Sequence, residues 1–134
     1  MALAEEARHQ QGATQVVALL DARMDELYSA AYVLDGGIWR LEGGYGLDKP
    51  EALQAPQGWA MAGNVFAAYG ERIAGSGPRI NALPTAQALL RIAPALLAAG
   101  LAIPAAQALP LYIRDKVAQT TQERAIIRAA AGKP

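Results

Sequence analysis

The chain contains no cysteine and a single histidine, His9, and its only serines are Ser29 and Ser76. The absence of cysteine excludes disulfide bridges, thiolate metal sites and cysteine nucleophiles, and it fits a reducing cytoplasm. Because histidine metal sites need clustered ligands, one imidazole argues against a metallohydrolase. Neither serine lies in a nucleophile-elbow context with a histidine to activate it. We therefore expect no resident metal or cofactor.

The chain also lacks net charge, because 12 basic residues balance 12 acidic ones. A protein that binds nucleic acid by itself usually carries an excess of positive charge. The equal numbers of basic and acidic residues therefore do not predict that this chain binds nucleic acid on its own. The stretch Leu111–Pro134 is locally basic, with five cations against two anions, or +3. It could touch RNA within a complex or form a solvated tail.

Signals for export or membrane insertion are missing as well. The N-terminus has no basic region followed by a long apolar run, so we expect a cytoplasmic protein that does not contact a membrane. The stretch Ile92–Ile113 has no charge and approaches the length of a membrane span, but Pro94, Pro104 and Pro110 interrupt it. We interpret it as a helix end, a loop and a buried strand at Leu111–Ile113.

The first third of the chain predicts a helix followed by three antiparallel strands. Ala2–Gln11 suits a helix that Gly12 would cap at its C-terminus. Asp35-Gly36-Gly37 is a strong hairpin turn signal, and Gly43-Gly44 suggests a bulge. The apolar runs that predict the strands are Val16–Asp21, Glu26–Leu34 and Ile38–Leu47.

The middle of the chain changes from strand to helix periodicity. Trp59–Gly63 predicts a short strand, and Asn64 is placed to cap a brief helix at Val65–Tyr69. The longest helix is predicted over Pro84–Ala99, with Gln87 and Arg91 on its outer face. Strands followed by alternating helices and strands predict an α/β domain with a mixed sheet. The residues expected on the buried stripe of the long helix are Leu89, Leu90, Ala93, Leu96 and Leu97.

Two local features could carry chemistry, and each has a structural alternative. Asp21 and Glu26 could form a carboxylate pair for acid/base work or for magnesium, or a charged hairpin corner with Arg23 as internal partner. We expect Tyr28 to pack inward from this corner. The glycine turn Gly63–Gly70 could present amides to a phosphate or nucleotide, or it could end a strand.

Three blocks of sequence resemble the signatures of one family. Asp21–Tyr28 reads Asp-Ala-Arg-Met-Asp-Glu-Leu-Tyr, Leu83–Ala86 reads Leu-Pro-Thr-Ala before an apolar helix, and Pro110–Thr121 begins Pro-Leu-Tyr-Ile-Arg-Asp-Lys-Val-Ala. In this order they are similar to blocks of the bacterial TsaB (YeaZ-like) proteins. The motif residues that we expect to serve structure or an interface are Asp21, Arg23, Glu26, Tyr28, Gly63, Pro110, Tyr112 and Arg114.

The resemblance implies a fold and a role. The fold would be one RNase H-like lobe of the actin/hexokinase-like (ASKHA) type, the C-terminal lobe, over residues 1–117, with a polar tail and a possible short helix over residues 118–134. The role would be a non-catalytic partner of TsaD, with the ATPase TsaE, in making threonylcarbamoyladenosine at A37 of tRNA. Contact with tRNA would occur only through the complex. The glycoprotease and chaperone labels of this family leave a metallohydrolase or an ATP-binding protein as alternatives.

The chain departs from the family because only fifteen residues precede Val16, where TsaB proteins have an N-terminal lobe. We therefore expect an exposed apolar surface, a tendency to self-associate, and weak binding of ATP and TsaD by this lobe alone. We also expect the residues after about Val117 to be loosely held.

Overall fold

The computed structural model describes residues 1–114. The predicted tail over residues 118–134 and the predicted boundary at residue 117 lie outside the described residues. Within them the strands are β1 (Gln15–Arg23), β2 (Glu26–Asp35), β3 (Ile38–Asp48), β4 (Ala60–Gly63) and β5 (Arg79–Asn81). The α-helices are α1 (Ala2–Gln11), α2 (Phe66–Tyr69) and α3 (Ala86–Ala98), and 3-10 turns lie at Pro50–Ala52 and Ala105–Gln107.

The five strands form one mixed sheet in the order β3-β2-β1-β4-β5. The strands β1, β2 and β3 pair antiparallel, whereas β4 pairs parallel to β1, and β5 parallel to β4. This confirms the predicted mixed α/β sheet and its antiparallel N-terminal part. The predicted bulge is confirmed too, because the β2–β3 register shifts between Ala30 and Ala31, opposite Gly43-Gly44.

Both faces of the sheet are covered, and alternate residues of β1 supply the two cores. Val16 and Ala18 pack towards α1 and α3, while Val17 and Leu19 pack towards the connections that follow β3 and β4. Gly12 ends α1 as predicted, with a left-handed φ of 69° and its N–H bonded to the carbonyl of Arg8 at 2.8 Å. No helix within residues 1–114 is long and apolar enough to span a membrane.

The predicted orientation of α3 was wrong for three of the five residues of the expected buried stripe, whereas Leu96 packs against the core as predicted. Its buried residues are Ala88 and Ile92, and Leu89, Leu90 and Leu97 are 55%, 73% and 63% exposed. The predicted outer residue, Arg91, turns inward instead, with a side chain that is 26% exposed. Two buried carboxylates on α1 attract the guanidinium of Arg91. The spacing of apolar residues within α3 cannot reveal this attraction, because it comes from another helix.

Three other predictions also need correction. Leu111–Ile113 is irregular chain rather than a buried strand, and its leucine and tyrosine are exposed. Asn64 does not cap α2, whose N-cap is Val65, because its side chain binds the backbone of β1. The strand β5 was not predicted, since three residues in a glycine-rich context give too short a pattern for the alternation rule.

A buried ion network joins α1 to α3 and β3. The side chain of Glu5 is 2% exposed and accepts two 2.8 Å bonds from Arg8, a 3.1 Å bond from Trp39 Nε1 and a 3.2 Å bond from Arg91 Nε. The bonds from Arg8, together with those from Trp39 and Arg91, hold the pKa of Glu5 below its ordinary value despite burial. The charge is therefore kept inside the protein by its partners.

The neighbouring carboxylate, Glu6, completes the network. Its Oε1 accepts a 2.7 Å bond from Arg91 Nη2 and a bond from the hydroxyl of Thr85. The same hydroxyl oxygen caps α3 by accepting the N–H of Ala88 at 3.0 Å. These contacts set where α3 begins and which of its faces meets α1.

We expect Glu5→Gln to lower the free energy of unfolding by about 2 kcal/mol at neutral pH, because a neutral amide at this buried position cannot balance the charges of the two guanidinium groups that contact it. Because the pKa of Glu5 is lower in the folded protein than in the unfolded chain, its ionised carboxylate stabilises the fold at pH values above the ordinary pKa of a glutamate. This stabilisation is lost as the pH falls. The difference in free energy of unfolding between the wild-type protein and the variant should therefore shrink when urea unfolding is repeated at about pH 3.5. The control is Glu42→Gln, at an exposed glutamate of β3; equal stability of the two variants at neutral pH would contradict the network.

Candidate interaction site at the hairpin corner

The hairpin corner, Asp21–Glu26, joins β1 to β2 through a strained turn. Arg23, Met24 and Asp25 all have left-handed backbone angles, with φ of 63°, 56° and 63°. For residues with a Cβ this conformation costs about 1–2 kcal/mol each. Such a run persists only where surrounding contacts stabilise it, and here those contacts come from distant parts of the chain.

Arg114 holds the turn from the C-terminal side. Its Nη2 donates to the carbonyl of Ala22 at 2.9 Å and forms an ion pair with Glu26 at 2.8 Å. Its Nη1 lies 3.3 Å from the sulfur of Met24. The Arg114 side chain is only 16% exposed, so water competes poorly for these bonds. The first and third family blocks are therefore in direct contact, although 88 residues separate Glu26 from Arg114 in sequence.

Arg72 holds the turn from the other side. Its guanidinium donates to both carboxylate oxygens of Asp25, at 2.6 and 2.9 Å, and it also binds Glu51. Arg72 lowers the pKa of Asp25 and of Glu51, and the two carboxylates raise its own pKa. Sequence reasoning missed Arg72 and Glu51, because no local pattern signals a pair 47 residues apart.

Asp21 links the corner to the connection after β4. Its Oδ1 accepts the N–H of Arg23 at 2.8 Å and the hydroxyl of Tyr69 at 3.2 Å, while its own N–H donates to Asn64 Oδ1 at 3.0 Å. Burial, and then the bond to Asp21, raise the pKa of Tyr69. Arg23, the predicted partner of Asp21, lies 3.3 Å from it but is 86% exposed, so this ion pair contributes little to stability.

Gly63 serves the sheet. It pairs with Leu19 across the β1–β4 ladder, and a Cβ at this position would lie 1.8 Å from the Leu19 carbonyl oxygen. The glycine is thus needed so that two backbones can come close together. This geometry supports the strand-ending alternative over a phosphate-binding turn.

Two further motif residues, Tyr28 and Tyr112, line an apolar cavity of about 410 Å³ beside the corner, and Arg114 lines it as well. Tyr28 is half-buried and lines this cavity, so it packs inward less fully than predicted, and Leu27 is the buried neighbour. Tyr112 also lines the cavity and is 88% exposed, and Pro110 is exposed. The other lining residues include Leu20, Ala30, Tyr32, Tyr45, Pro84 and Leu111.

The carboxylates of the corner are paired with guanidinium groups rather than with one another. Asp21 pairs with Arg23, and Glu26 pairs with Arg114. Among residues 1–114, no group of three or more histidine, cysteine or acidic side chains is placed to hold a metal. The arrangement can hold a strained turn in one conformation and present its tip, including Met24, to solvent.

We expect Met24→Gly to be about 1 kcal/mol more stable than Met24→Ala, because glycine adopts the left-handed conformation without steric cost. Both variants lose the contact with Arg114, so their difference isolates the backbone strain. Urea unfolding of the two proteins measures it. If Met24→Ala proved at least as stable as Met24→Gly, the turn would not be strained at this position.

Comparison with known proteins reveals related sequences and folds. No protein-family model matches the chain. The tRNA threonylcarbamoyladenosine biosynthesis protein TsaB of Escherichia coli (strain K12) is 34% identical over 128 residues, covering 88% of this chain and 55% of that protein. YeaZ from Pseudomonas aeruginosa, and a structure from the same organism described as similar to the peptidase YeaZ, superpose with TM-scores of 0.74 and 0.75. Each is 38% identical, over 84% of this chain and 55% of the other.

The chain thus spans about half the length of the relatives that it matches. Its five-stranded mixed sheet with flanking helices fits an RNase H-like lobe, as the resemblance implied. Sequence and fold together show that the chain is a TsaB/YeaZ-like protein.

Proposed function

We propose that this chain is the C-terminal lobe of a TsaB-type protein and acts as a non-catalytic subunit in the biosynthesis of threonylcarbamoyladenosine at A37 of tRNA. The observation that carries the proposal is the 34% identity to a TsaB protein over 88% of this chain. A tRNA-modifying role also makes the cytoplasm the expected compartment.

The partners in this proposal are TsaD, which would carry the catalytic site, and TsaE. Contact with tRNA would be made through the assembled complex, which agrees with a chain that has no net charge. Since the chain spans about half of its relatives, we propose that it supports TsaD together with an N-terminal lobe and binds it weakly alone.

The hairpin corner supports a scaffolding role over a catalytic one. Acid/base catalysis needs a carboxylate whose proton affinity suits proton transfer near neutral pH. At the corner the carboxylates of Asp25 and Glu26 are instead bound by guanidinium groups, and the pKa of Asp25 is lowered by Arg72. Such contacts keep the charges in place and leave a rigid turn at the surface.

The test is a chimera in which this chain replaces the C-terminal half of Escherichia coli TsaB, expressed in cells depleted of their own TsaB. We expect the chimera to restore threonylcarbamoyladenosine, quantified by mass spectrometry of digested tRNA. The same chimera carrying Glu26→Ala and Arg114→Ala should restore less, because the corner loses its support from the C-terminal side.

Two controls complete this test. An unrelated domain of similar length in place of the chain should restore nothing, and pull-down with tagged TsaD reports assembly separately from modification. A chimera that is folded and binds TsaD, yet leaves tRNA unmodified, would contradict the proposed function.

A further inference from the structure

The three methionines of the chain differ in their access to solvent. Met61 lies on β4 and is fully buried, at 0% exposure, and Met1 is partly buried. Met24 lies at the tip of the hairpin corner and is 68% exposed. An oxidant must reach the sulfur of a methionine to convert it to the sulfoxide. Met24 is therefore the methionine that an oxidant in solution reaches most readily.

The sulfur of Met24 lies beside a charged hydrogen-bond donor. Nη1 of Arg114 is 3.3 Å from this sulfur, while Nη2 of the same guanidinium donates to the Ala22 carbonyl at 2.9 Å. Nη2 also forms the ion pair with Glu26 at 2.8 Å. Because the sulfur of a thioether is only a weak acceptor, the contact with Nη1 contributes little while Met24 is reduced. The bonds of Nη2 nevertheless hold Nη1 next to the sulfur.

Oxidation changes this sulfur from a weak acceptor into the carrier of a strong one. A lone pair of the sulfur attacks one oxygen of hydrogen peroxide, so that an S–O bond forms and the O–O bond breaks. The proton on the transferred oxygen passes to the departing oxygen, which leaves as water. Sulfur loses two electrons, and the peroxide accepts them. The product is a polar sulfoxide, which methionine sulfoxide reductases convert back to the thioether.

The new oxygen adds a contact to the corner without displacing one. The contacts of Arg114 with the backbone and with Glu26 are made by Nη2, whereas Nη1 faces the sulfur of Met24. Met24 is also the middle one of the three left-handed residues of the turn. A sulfoxide oxygen on this sulfur can therefore accept a charge-assisted hydrogen bond from Nη1 and tie the tip of the turn to Arg114.

We propose that Met24 is an oxidation site at which a peroxide produces a sulfoxide that binds Arg114 and holds the hairpin corner more tightly. The turn is strained and depends on contacts from elsewhere in the chain, so one further bond at its tip stabilises it. Reduction of the sulfoxide returns the corner to its weaker state. This response follows from the geometry of the corner and does not require the proposed role in tRNA modification.

Site-resolved mass spectrometry tests whether Met24 is the reactive methionine. The full chain is treated with hydrogen peroxide, the reaction is quenched with catalase, and the digested peptides are sequenced at several times. We expect Met24 to oxidise at least about tenfold faster than Met61 in the folded protein, because reaction at a buried sulfur must await local opening. In urea that unfolds the chain, the two rates should become similar. Equal rates in the folded protein would contradict the proposal.

Urea unfolding tests whether the sulfoxide strengthens the corner, using protein in which Met24 is oxidised and Met61 is not. We expect oxidation of the wild-type chain to raise the equilibrium constant of folding about fivefold, the effect of one hydrogen bond to a charged group that is partly exposed to water. The control is Met24→Leu, which has a similar volume and no sulfur at this position. The same treatment should leave its stability unchanged, and any effect of Met1 oxidation is common to both proteins.

Arg114→Ala isolates the partner of the sulfoxide. Its stability should not rise on oxidation of Met24, because the donor beside the sulfur is gone. A wild-type chain that gains no more stability on oxidation than Met24→Leu would overturn the proposal, and so would an equal gain in Arg114→Ala. The comparison of the wild type with Met24→Leu is decisive even where Arg114→Ala does not fold.

Discussion

The strained turn of the hairpin corner and the apolar cavity beside it both depend on the contact between Arg114 and the corner. Its guanidinium binds the Ala22 carbonyl and Glu26 at a turn with three consecutive left-handed residues. This contact stabilises the turn and places Leu111–Ile113 over the sheet, where that segment walls the apolar cavity. The first and third blocks of the family resemblance therefore meet in space, because the guanidinium of Arg114 contacts the carbonyls of Ala22 and Arg23, the sulfur of Met24 and the carboxylate of Glu26.

A second consequence of internal ion pairing appears in α3. Glu5 and Glu6 are buried on α1, and Arg91 turns towards them. Because a helix cannot rotate one residue independently of the others, this places Leu90 and Leu97 on the outer side, where they are exposed. The apolar outer face thus follows from the polar contacts on the inner face.

Features governed by neighbouring residues could be predicted from the sequence, and features governed by distant ones could not. The helix at Ala2–Gln11 and the β2–β3 hairpin follow from residue patterning and glycine signals, and the β1–β2 hairpin follows from two apolar runs on either side of a polar turn; all of these are local signals. The orientation of α3 depends on the contact between Arg91 and Glu5, and the turn at Asp25 depends on its ion pair with Arg72. Both partners are remote in sequence. The resemblance marked Arg114 as a site residue, but its contact with Glu26 required the structure.

A double-mutant cycle between Arg114→Ala and Glu26→Ala tests most directly the claim that the corner is held by this guanidinium. The two side chains are 16% and 31% exposed, so we predict a coupling free energy of about 1 kcal/mol in urea unfolding. The reference cycle uses Arg40 and Asp35, whose side chains are 62% and 64% exposed, and should give roughly 0.3 kcal/mol. A coupling between Arg114 and Glu26 no larger than that of the reference pair would contradict the account.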